Sequence, residues 1–417
     1  MDLTRAAAAD LDAADPLAAF RDRFVIADDA LLYLDGNSLG RLPRDTPAAL
    51  ARVVEEEWGR GLVGSWSSWI GRATEVGDVL AAGVLGARPG EVLIGDSTSV
   101  DLYKLLVAGA DARPGRDVLV CCADDFPTDR YLVAGVAAAR GMSVRQVAAD
   151  IDEGLDLDVL AAALDERVAV VVLSAVAYRS GALPDLAAVT RLVHDAGALV
   201  LWDLSHAAGA VPLELTAIGA DLAVGCTYKY LNGGPGAPAF LYVRRELQEQ
   251  LRQPIWGWFG QRDQFAMGQA YDPAPGIERF AVGTPPVPGM AAVEVGARLV
   301  AEAGVDRLAA KGRALTDLVV ALADGWLAPH GVALASPRDA ARRGSHVSLA
   351  HPQAWQVTQA LLDRGVVPDF RTPDRVRLGP APLYSRFVDV WEAMDRFRDV
   401  LAEGAHERYP AERARVT

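Results

Sequence analysis

The sequence predicts an α/β protein: a large domain built on a mostly parallel sheet flanked by helices, followed by a smaller α+β C-terminal domain. Two patterns carry this expectation. Strand-like runs that are apolar throughout alternate with helix-like segments from residue 91 to residue 244, the signature of a sheet buried on both faces. From about residue 289 the order changes to two helices, a short strand, a helix, further strand segments and a last helix. The 417 residues, 51% of them apolar, provide for both domains.

Taken in order, residues 1 to about 30 read as an Ala-rich helix with charged positions, followed by Leu31 to Gly40, which contains the turn Gly36-Asn37-Ser38. That turn is either a plain connection or a loop presenting small polar groups to a ligand. Residues 46 to 60 read as helix. Trp58, Trp66 and Trp69 then fall in a Gly/Ser-rich setting, which suits an interface or an aromatic pocket wall. Strands are expected at 91–95, 117–123, 143–149, 168–177, 198–204, 222–226 and 239–244, and helices at 100–110, 128–140, 157–164 and 186–196. In the C-terminal part a strand is expected near 346–349, a helix at 354–364, strands within 366–378 and a helix at 387–401.

Composition excludes several classes. A net charge of −14 without a local basic patch argues against nucleic-acid binding. The three cysteines, Cys121, Cys122 and Cys226, have no metal-ligand spacing and two are adjacent, which fits a reducing cytoplasm. The N-terminus lacks a secretory pattern, and apolar runs such as 168–177 are too short to span a bilayer as a helix.

Polar groups cluster at the carboxyl ends of the expected strands, where α/β sheets bind ligands. Gly95-Asp96-Ser97-Thr98-Ser99 opens a helix, either as an ordinary cap or as an anion cradle. Phe126-Pro127-Thr128-Asp129 follows the next strand; Phe126 is either a loop hydrophobe or a cover for a flat ring. Ser174 ends another strand, where its hydroxyl suits a ligand or its own backbone. Asp203 ends an apolar strand and needs a cationic or hydrogen-bonding partner, such as a protonated pyridine nitrogen. His206 follows, as a structural histidine or one that orients the carboxylate or ring. Only three of the 41 basic residues are lysines, Lys104, Lys229 and Lys311. Lys229 stands between the run 220–226 and the loop Gly233-Gly234-Pro235-Gly236, with Tyr228 beside it, a setting for a Schiff-base lysine. Trp256 to Gly260 and Gly283-Thr284-Pro285-Pro286 are active-site or subunit-interface elements. Arg377 is a carboxylate clamp or a surface ion pair.

A strand-end Asp, a later loop Lys, an anion-ready helix start and a ring-covering aromatic are the parts of a pyridoxal phosphate site. Their order resembles the aspartate-aminotransferase-like, fold type I enzymes. Within them the stretches Tyr33-Leu34-Asp35-Gly36-Asn37-Ser38-Leu39-Gly40, Asp203-Leu204-Ser205-His206-Ala207, Tyr228-Lys229-Tyr230-Leu231-Asn232-Gly233-Gly234, Gly257-Trp258-Phe259-Gly260, Arg343-Gly344-Ser345-His346 and Arg377-Leu378-Gly379-Pro380-Ala381-Pro382-Leu383-Tyr384 are similar to the kynureninase family over nearly the whole chain.

The resemblance implies a large domain, residues 46–288, on a sheet of the seven-stranded type. Residues 289–417 would form the small domain, with residues 1–45 packing on it. It implies pyridoxal 5′-phosphate held covalently by Lys229, Asp203 paired with the pyridine nitrogen, and Phe126 stacked on the ring with Asp129 and His206 beside it. Thr98, Ser99 and Tyr228 would bind phosphate, joined by Trp258 and Thr284 from the partner subunit of a homodimer, and Ser174 falls on a cofactor-contact position. Arg377 would hold the substrate's α-carboxylate, and Ser38, Trp66 and Thr284 would face its aromatic end. The implied activity is hydrolytic cleavage of L-kynurenine to anthranilate and L-alanine in tryptophan catabolism, with Tyr228 as a proton donor. Trp66 and Thr284 replace the His and Asn of the animal enzymes, which implies a preference for L-kynurenine over its 3-hydroxylated form. Gly379 replaces an alanine, a small change. The alternatives are a cysteine desulfurase, which needs a mobile Cys in the small domain that this chain lacks, an aminotransferase, and a cofactor-free binding protein on the same fold.

Overall fold

A computed structural model describes residues 2–412. The N-terminal part contains α1 (Arg5–Ala13), β1 (Leu32–Tyr33), α2 (Thr46–Ala51), α3 (Trp66–Trp69) and α4 (Arg72–Leu80). The single helix expected over residues 1–30 stops at Ala13, and one 3₁₀ segment follows at Ala18–Arg23. Pro16 accounts for the break, since it lacks an N–H and restricts Asp15, whose carboxylate instead accepts the Leu17 N–H at 2.9 Å. After α2 the helix widens to π geometry over Arg52–Gly61.

The central elements are β2 (Val92–Gly95), α5 (Thr98–Asp111), β3 (Val118–Cys122), α6 (Pro127–Arg140), β4 (Ser143–Val147), α7 (Leu157–Ala162), β5 (Val168–Ser174), α8 (Leu186–Asp195), β6 (Leu199–Asp203), β7 (Leu222–Gly225) and β8 (Ala239–Val243). Their strands form one seven-stranded sheet in the order β2-β8-β7-β6-β5-β3-β4. Only β8 runs against its neighbours, so the other six carboxyl ends share one edge. The expected α/β fold and mostly parallel sheet are therefore present. The strand expected to reach Ala177 leaves the sheet after Ser174, where Ala177 N–H turns back to the Ala182 carbonyl at 2.9 Å. Every residue of β3, β6, β7 and β8 is buried, because helices cover both faces.

The chain continues through α9 (Arg245–Gln248), α10 (Val287–Ala303), α11 (Val305–Leu322), β9 (Ala333–Leu334), β10 (Val347–Ala350), α12 (Ala354–Asp363), β11 (Val366–Val367), β12 (Asp369–Arg371), β13 (Arg375–Leu378) and α13 (Phe387–Ala402). An antiparallel sheet has the order β12-β13-β10-β9, and β1 pairs in parallel with β11. α10 buries Met290, Val293 and Ala297 in the core of the large sheet. A separate core joins Leu315, Val319, Leu349, Phe370 and Phe397 to Ala8, Leu32 and Leu34 from the N-terminal segment.

That segment also caps α13 from outside its own sequence: both oxygens of Asp12 accept backbone N–H groups, Phe387 at 2.6 Å and Val388 at 3.0 Å. These are donors a helix start leaves unsatisfied. Asp12→Ala is expected to lower unfolding free energy by about 1–2 kcal/mol, the usual cost of losing an N-cap, measurable by urea denaturation.

Among the described residues no helix is long and apolar enough to cross a membrane, and no cluster of His, Cys, Asp or Glu has metal-binding geometry.

Candidate active site

The shared sheet edge brings distant stretches to one cleft of about 250 Å³, lined by Thr98, Ser99, Phe126, Asp129, Asp203, His206, Tyr228 and Lys229 among others. The loop after β7 is held on all sides. Thr227 Oγ1 donates to the Pro238 carbonyl at 2.7 Å, Asn232 N–H to the Lys229 carbonyl at 2.9 Å, and Gly40 N–H to the Tyr228 carbonyl at 2.8 Å. A Cβ on Gly40 would stand 2.4 Å from the Lys229 carbonyl oxygen, so only glycine lets this turn approach the lysine.

Of the three lysines, Lys104 is ion-paired with Asp96 and Asp101, and Lys311 with Asp15. The Lys229 amine instead faces a histidine ring, with Nζ 2.9 Å from His206 Nε2. Burial above all, then the positive charges of Lys229 and Arg377, holds His206 well below the usual histidine range. The ring is therefore neutral and accepts or donates without adding charge.

Opposite Lys229 lies a nest of acids. Asp203 is buried, and its Oδ1 accepts Ser205 N–H at 2.9 Å and Ser205 Oγ–H at 2.6 Å. Asp129, in the first turn of α6, stands beside Asp203, and its buried Oδ2 has no hydrogen-bond partner. Burial first, and then the Asp203 charge, pushes Asp129 well above the carboxylate range. Two buried carboxyls side by side favour a proton on Asp129. A cationic ring nitrogen is a chemical match for this buried anion.

Asp125 extends the nest from behind. Its oxygens accept Cys122 N–H at 2.9 Å and Ser174 N–H at 3.1 Å, tying β3 to the end of β5, where Ser174 pairs in register with Asp203. Burial raises Asp125 from 3.8 to about 7. Between about pH 4 and pH 7 the folded chain therefore keeps a proton that the unfolded chain has released, so this group's contribution falls as pH rises. Whatever the constant offset, the stability difference between Asp125→Asn and the parent is expected to move toward the variant across that window. Thermal melts in steps from pH 4.5 to 7.5 measure it; a flat difference contradicts the assignment.

At the start of α5 the Ser97 hydroxyl accepts Val100 N–H at 3.4 Å as the N-cap, while Thr98 and Ser99 line the cleft. The cap and the anion cradle thus coexist in adjacent residues. Phe126, 43% exposed, packs edge-on against Tyr178 with ring centroids 5.4 Å apart. Burial pushes Tyr228 above the ordinary tyrosine range, so it remains a phenol. Two further residues stand beside the His206 ring. His346 lies 5.3 Å from it and is likewise driven neutral by burial, then by Arg377 and Lys229. Arg377, 1% exposed, is ion-paired with Asp369 and donates from Nη2 to Ser38 Oγ at 2.8 Å.

Six expected site residues do not line this cleft within one chain: Arg377 and Ser38, which bond each other, and the four that follow. Ser174 faces a smaller cavity with Asp124 and Asp125. Thr284 lines a second cavity of about 350 Å³ that also includes Lys104 and Phe259. Trp66 packs on Trp69 and Phe259, and Trp258 on Phe259 and Phe265. Gly379 proves tighter than a one-carbon difference suggests, because a Cβ there would stand 1.8 Å from the Asn37 amide. Asp125 and Asp369 carried no expected role, Asn37 entered only as part of its turn, and His346 only as part of a family-like stretch. For Asp125 a signal was present, an acid directly after an apolar strand, the same argument that marked Asp203.

Residues 308–397 match the family described as "Kynureninase C-terminal domain". The chain is 44% identical over 399 residues to the kynureninase of Pseudomonas fluorescens, covering 94% of each chain. It is 45% identical over 406 residues to that of Burkholderia pseudomallei strain 1106a, covering 95% of each. Among solved structures, the cysteine desulfurase of Thermococcus onnurineus NA1 superposes with a TM-score of 0.81 at 18% identity, over 92% of this chain and 98% of that one. A mutant of the lyase C-DES, with glycine covalently linked to its PLP cofactor, gives 0.80 at 18% identity over 91% and 99%. At that identity these two show a shared fold.

Proposed function

The chain belongs to the kynureninase family, and from that premise we propose how its own residues perform the reaction. The enzyme hydrolyses the Cβ–Cγ bond of L-kynurenine, consuming one water and releasing anthranilate and L-alanine. The cofactor is pyridoxal 5′-phosphate, and the observation that carries its placement is the buried Asp203–Asp129 pair facing Lys229 across a cleft that begins at a helix N-terminus. When bound, the group supplies a protonated aromatic ring that accepts the electron pair left behind at the substrate's α-carbon.

Lys229 Nζ anchors the cofactor and then takes and returns the substrate's α-proton. The Asp203 carboxylate faces the ring nitrogen, with Asp129, held above the carboxylate range by burial, beside it. Thr98, Ser99 and the first N–H groups of α5 receive the phosphate, with the Tyr228 hydroxyl beside them. Phe126 covers the ring face. The neutral His206 holds the Lys229 amine in place without competing for the acids. Tyr228, kept protonated by burial, donates a proton as the carbonyl side of the substrate departs. Arg377 receives the α-carboxylate, and Ser38 Oγ accepts from its Nη2.

The remaining residues come from a second copy of the chain. Leu62, Val63, Trp256, Trp258, Phe265 and Met267 are exposed by 46–81%, an apolar display that a monomer rarely leaves open. Trp258 and Thr284 lie apart from the Lys229 cleft of their own chain, so we assign them to the cleft of the partner in a homodimer. Light scattering is expected to give twice the 44.2 kDa chain mass; a monomer that turns over substrate would contradict this arrangement. Preference for L-kynurenine over the 3-hydroxylated substrate follows from Trp66 and Thr284 and is read from the ratio of kcat/KM values.

A cysteine-dependent sulfur transfer is disfavoured. Burial raises Cys121 and Cys122 to about 12, Cys226 is raised as well, and all three are buried. Three free thiols support a reducing, cytoplasmic location. Borohydride trapping followed by peptide mass spectrometry tests the anchor: the pyridoxyl adduct is expected on the peptide containing Lys229, and an adduct on Lys104 or Lys311 would refute it.

A further inference from the structure

The donors of Arg377 are nearly all taken. Nη1 donates to the Tyr178 carbonyl, and Nη2 donates to Ser38 Oγ at 2.8 Å and to Asp369. Nε faces the Asn37 amide oxygen at 2.9 Å once that amide is oriented to match its neighbours. A guanidinium carries five N–H groups, so one on Nη1 is left, and Arg377 alone has no two-point grip to offer a carboxylate.

A second guanidinium stands beside it. Arg371, at the end of β12, places Nη2 2.7 Å from the same Asp369 oxygen that Arg377 meets, and its Nη1 donates to the Phe370 carbonyl at 3.2 Å. Its Nε is buried and has no partner. Arg377 reaches the cleft through Tyr178, whose carbonyl accepts from its Nη1 and whose ring packs on the cleft-lining Phe126 at 5.4 Å, and Asp369 holds Arg371 beside it. An unsatisfied buried N–H is costly unless a ligand occupies it.

We propose that the substrate's α-carboxylate is shared by two arginines, one oxygen on the open Nη1 hydrogen of Arg377 and the other on Nε of Arg371, which makes Arg371 a second substrate-binding residue. The inference rests on the reading of Arg377 as the carboxylate holder. Asp369 then acts as the common tether that keeps the two guanidiniums side by side. Asn37 and Ser38 fix the plane of one of them.

The test uses the holoenzyme with L-kynurenine as substrate and L-kynurenine α-carboxamide, which lacks the anion, as a competitive ligand. Arg371→Gln is expected to raise KM for L-kynurenine by about 10- to 100-fold, the range for a charge-assisted hydrogen bond, with a much smaller change in kcat and in the carboxamide Ki. Arg371→Lys keeps the Asp369 ion pair but has no matching N–H in a fork, so it too is expected to raise KM. Unchanged KM in Arg371→Gln, or equal weakening of both ligands, would overturn the proposal. Arg377→Gln run in parallel separates the two readings. If it leaves KM unchanged, both fail; if it raises KM while Arg371→Gln does not, only the two-arginine arrangement fails. Cofactor trapping on Lys229 in each variant reports that the fold is intact.

Discussion

Lys229→Ala is expected to reduce kcat for L-kynurenine cleavage by at least about 10³-fold, because one amine performs both the covalent anchoring and the proton transfers at the α-carbon. The residue is isolated for this purpose. Its Nζ forms no salt bridge among the described residues, and its nearest polar neighbour is a neutral ring 2.9 Å away. Lys104 and Lys311 are committed to buried ion pairs and cannot substitute. Added cofactor is expected to bind the variant weakly and without a borohydride-stable bond. Single-turnover and steady-state anthranilate fluorescence measure the loss; retention of more than a tenth of the parent rate would remove Lys229 from its role.

Asp203→Asn is the second large effect, with an expected fall in kcat of about 10²- to 10³-fold, comparable to removing one preorganised electrostatic partner from a dry site. The substitution preserves shape, and the Asn oxygen can still accept the Ser205 bonds that Asp203 accepts at 2.9 and 2.6 Å. What it removes is the negative charge opposite the ring nitrogen. It also relieves Asp129, whose carboxyl is pushed up partly by the Asp203 charge, so Asp129 is expected to titrate at lower pH in the variant. A variant whose kcat is unaffected would mean that the ring nitrogen does not require this anion.

The two residues behind these predictions were legible for different reasons than the fold was. Six of the seven strands could be read because each is a short apolar run, the composition that burial on both sheet faces demands, while the edge strand β4 carries Ser143, Arg145 and Gln146. Asp203 and Lys229 stood out as charges at the ends of such runs. Polarity of that kind survives into one-dimensional sequence. The reversed direction of β8 did not, because an apolar strand carries no mark of its orientation. The small-sheet half of the site was equally silent. Arg371, Asp369 and Asn37 meet Arg377 only because β12, β13 and the turn after β1 converge, and no local spacing records that convergence. Trp66, Trp258 and Thr284 form a third case. Their sequence setting suggested an active site or an interface, and one chain places them outside the Lys229 cleft, on a side rich in exposed Trp, Phe and Leu. The helix expected over residues 1–30 failed for a plain local reason, Pro16, which alanine-rich periodicity had masked.

The acids around Asp203 also explain why the cleft suits a cation better than an empty site would. Asp125, Asp129 and Asp203 are all buried, and the charge of one raises the proton affinity of the next. A positively charged ring nitrogen relieves this crowding, so cofactor binding is expected to be accompanied by proton exchange.

The most direct test of the central claim is product analysis. Purified protein supplied with pyridoxal 5′-phosphate and L-kynurenine is expected to release anthranilate, followed by its fluorescence, and L-alanine in equal amounts. No anthranilate, with sulfur released from L-cysteine or glutamate formed from 2-oxoglutarate instead, would contradict it.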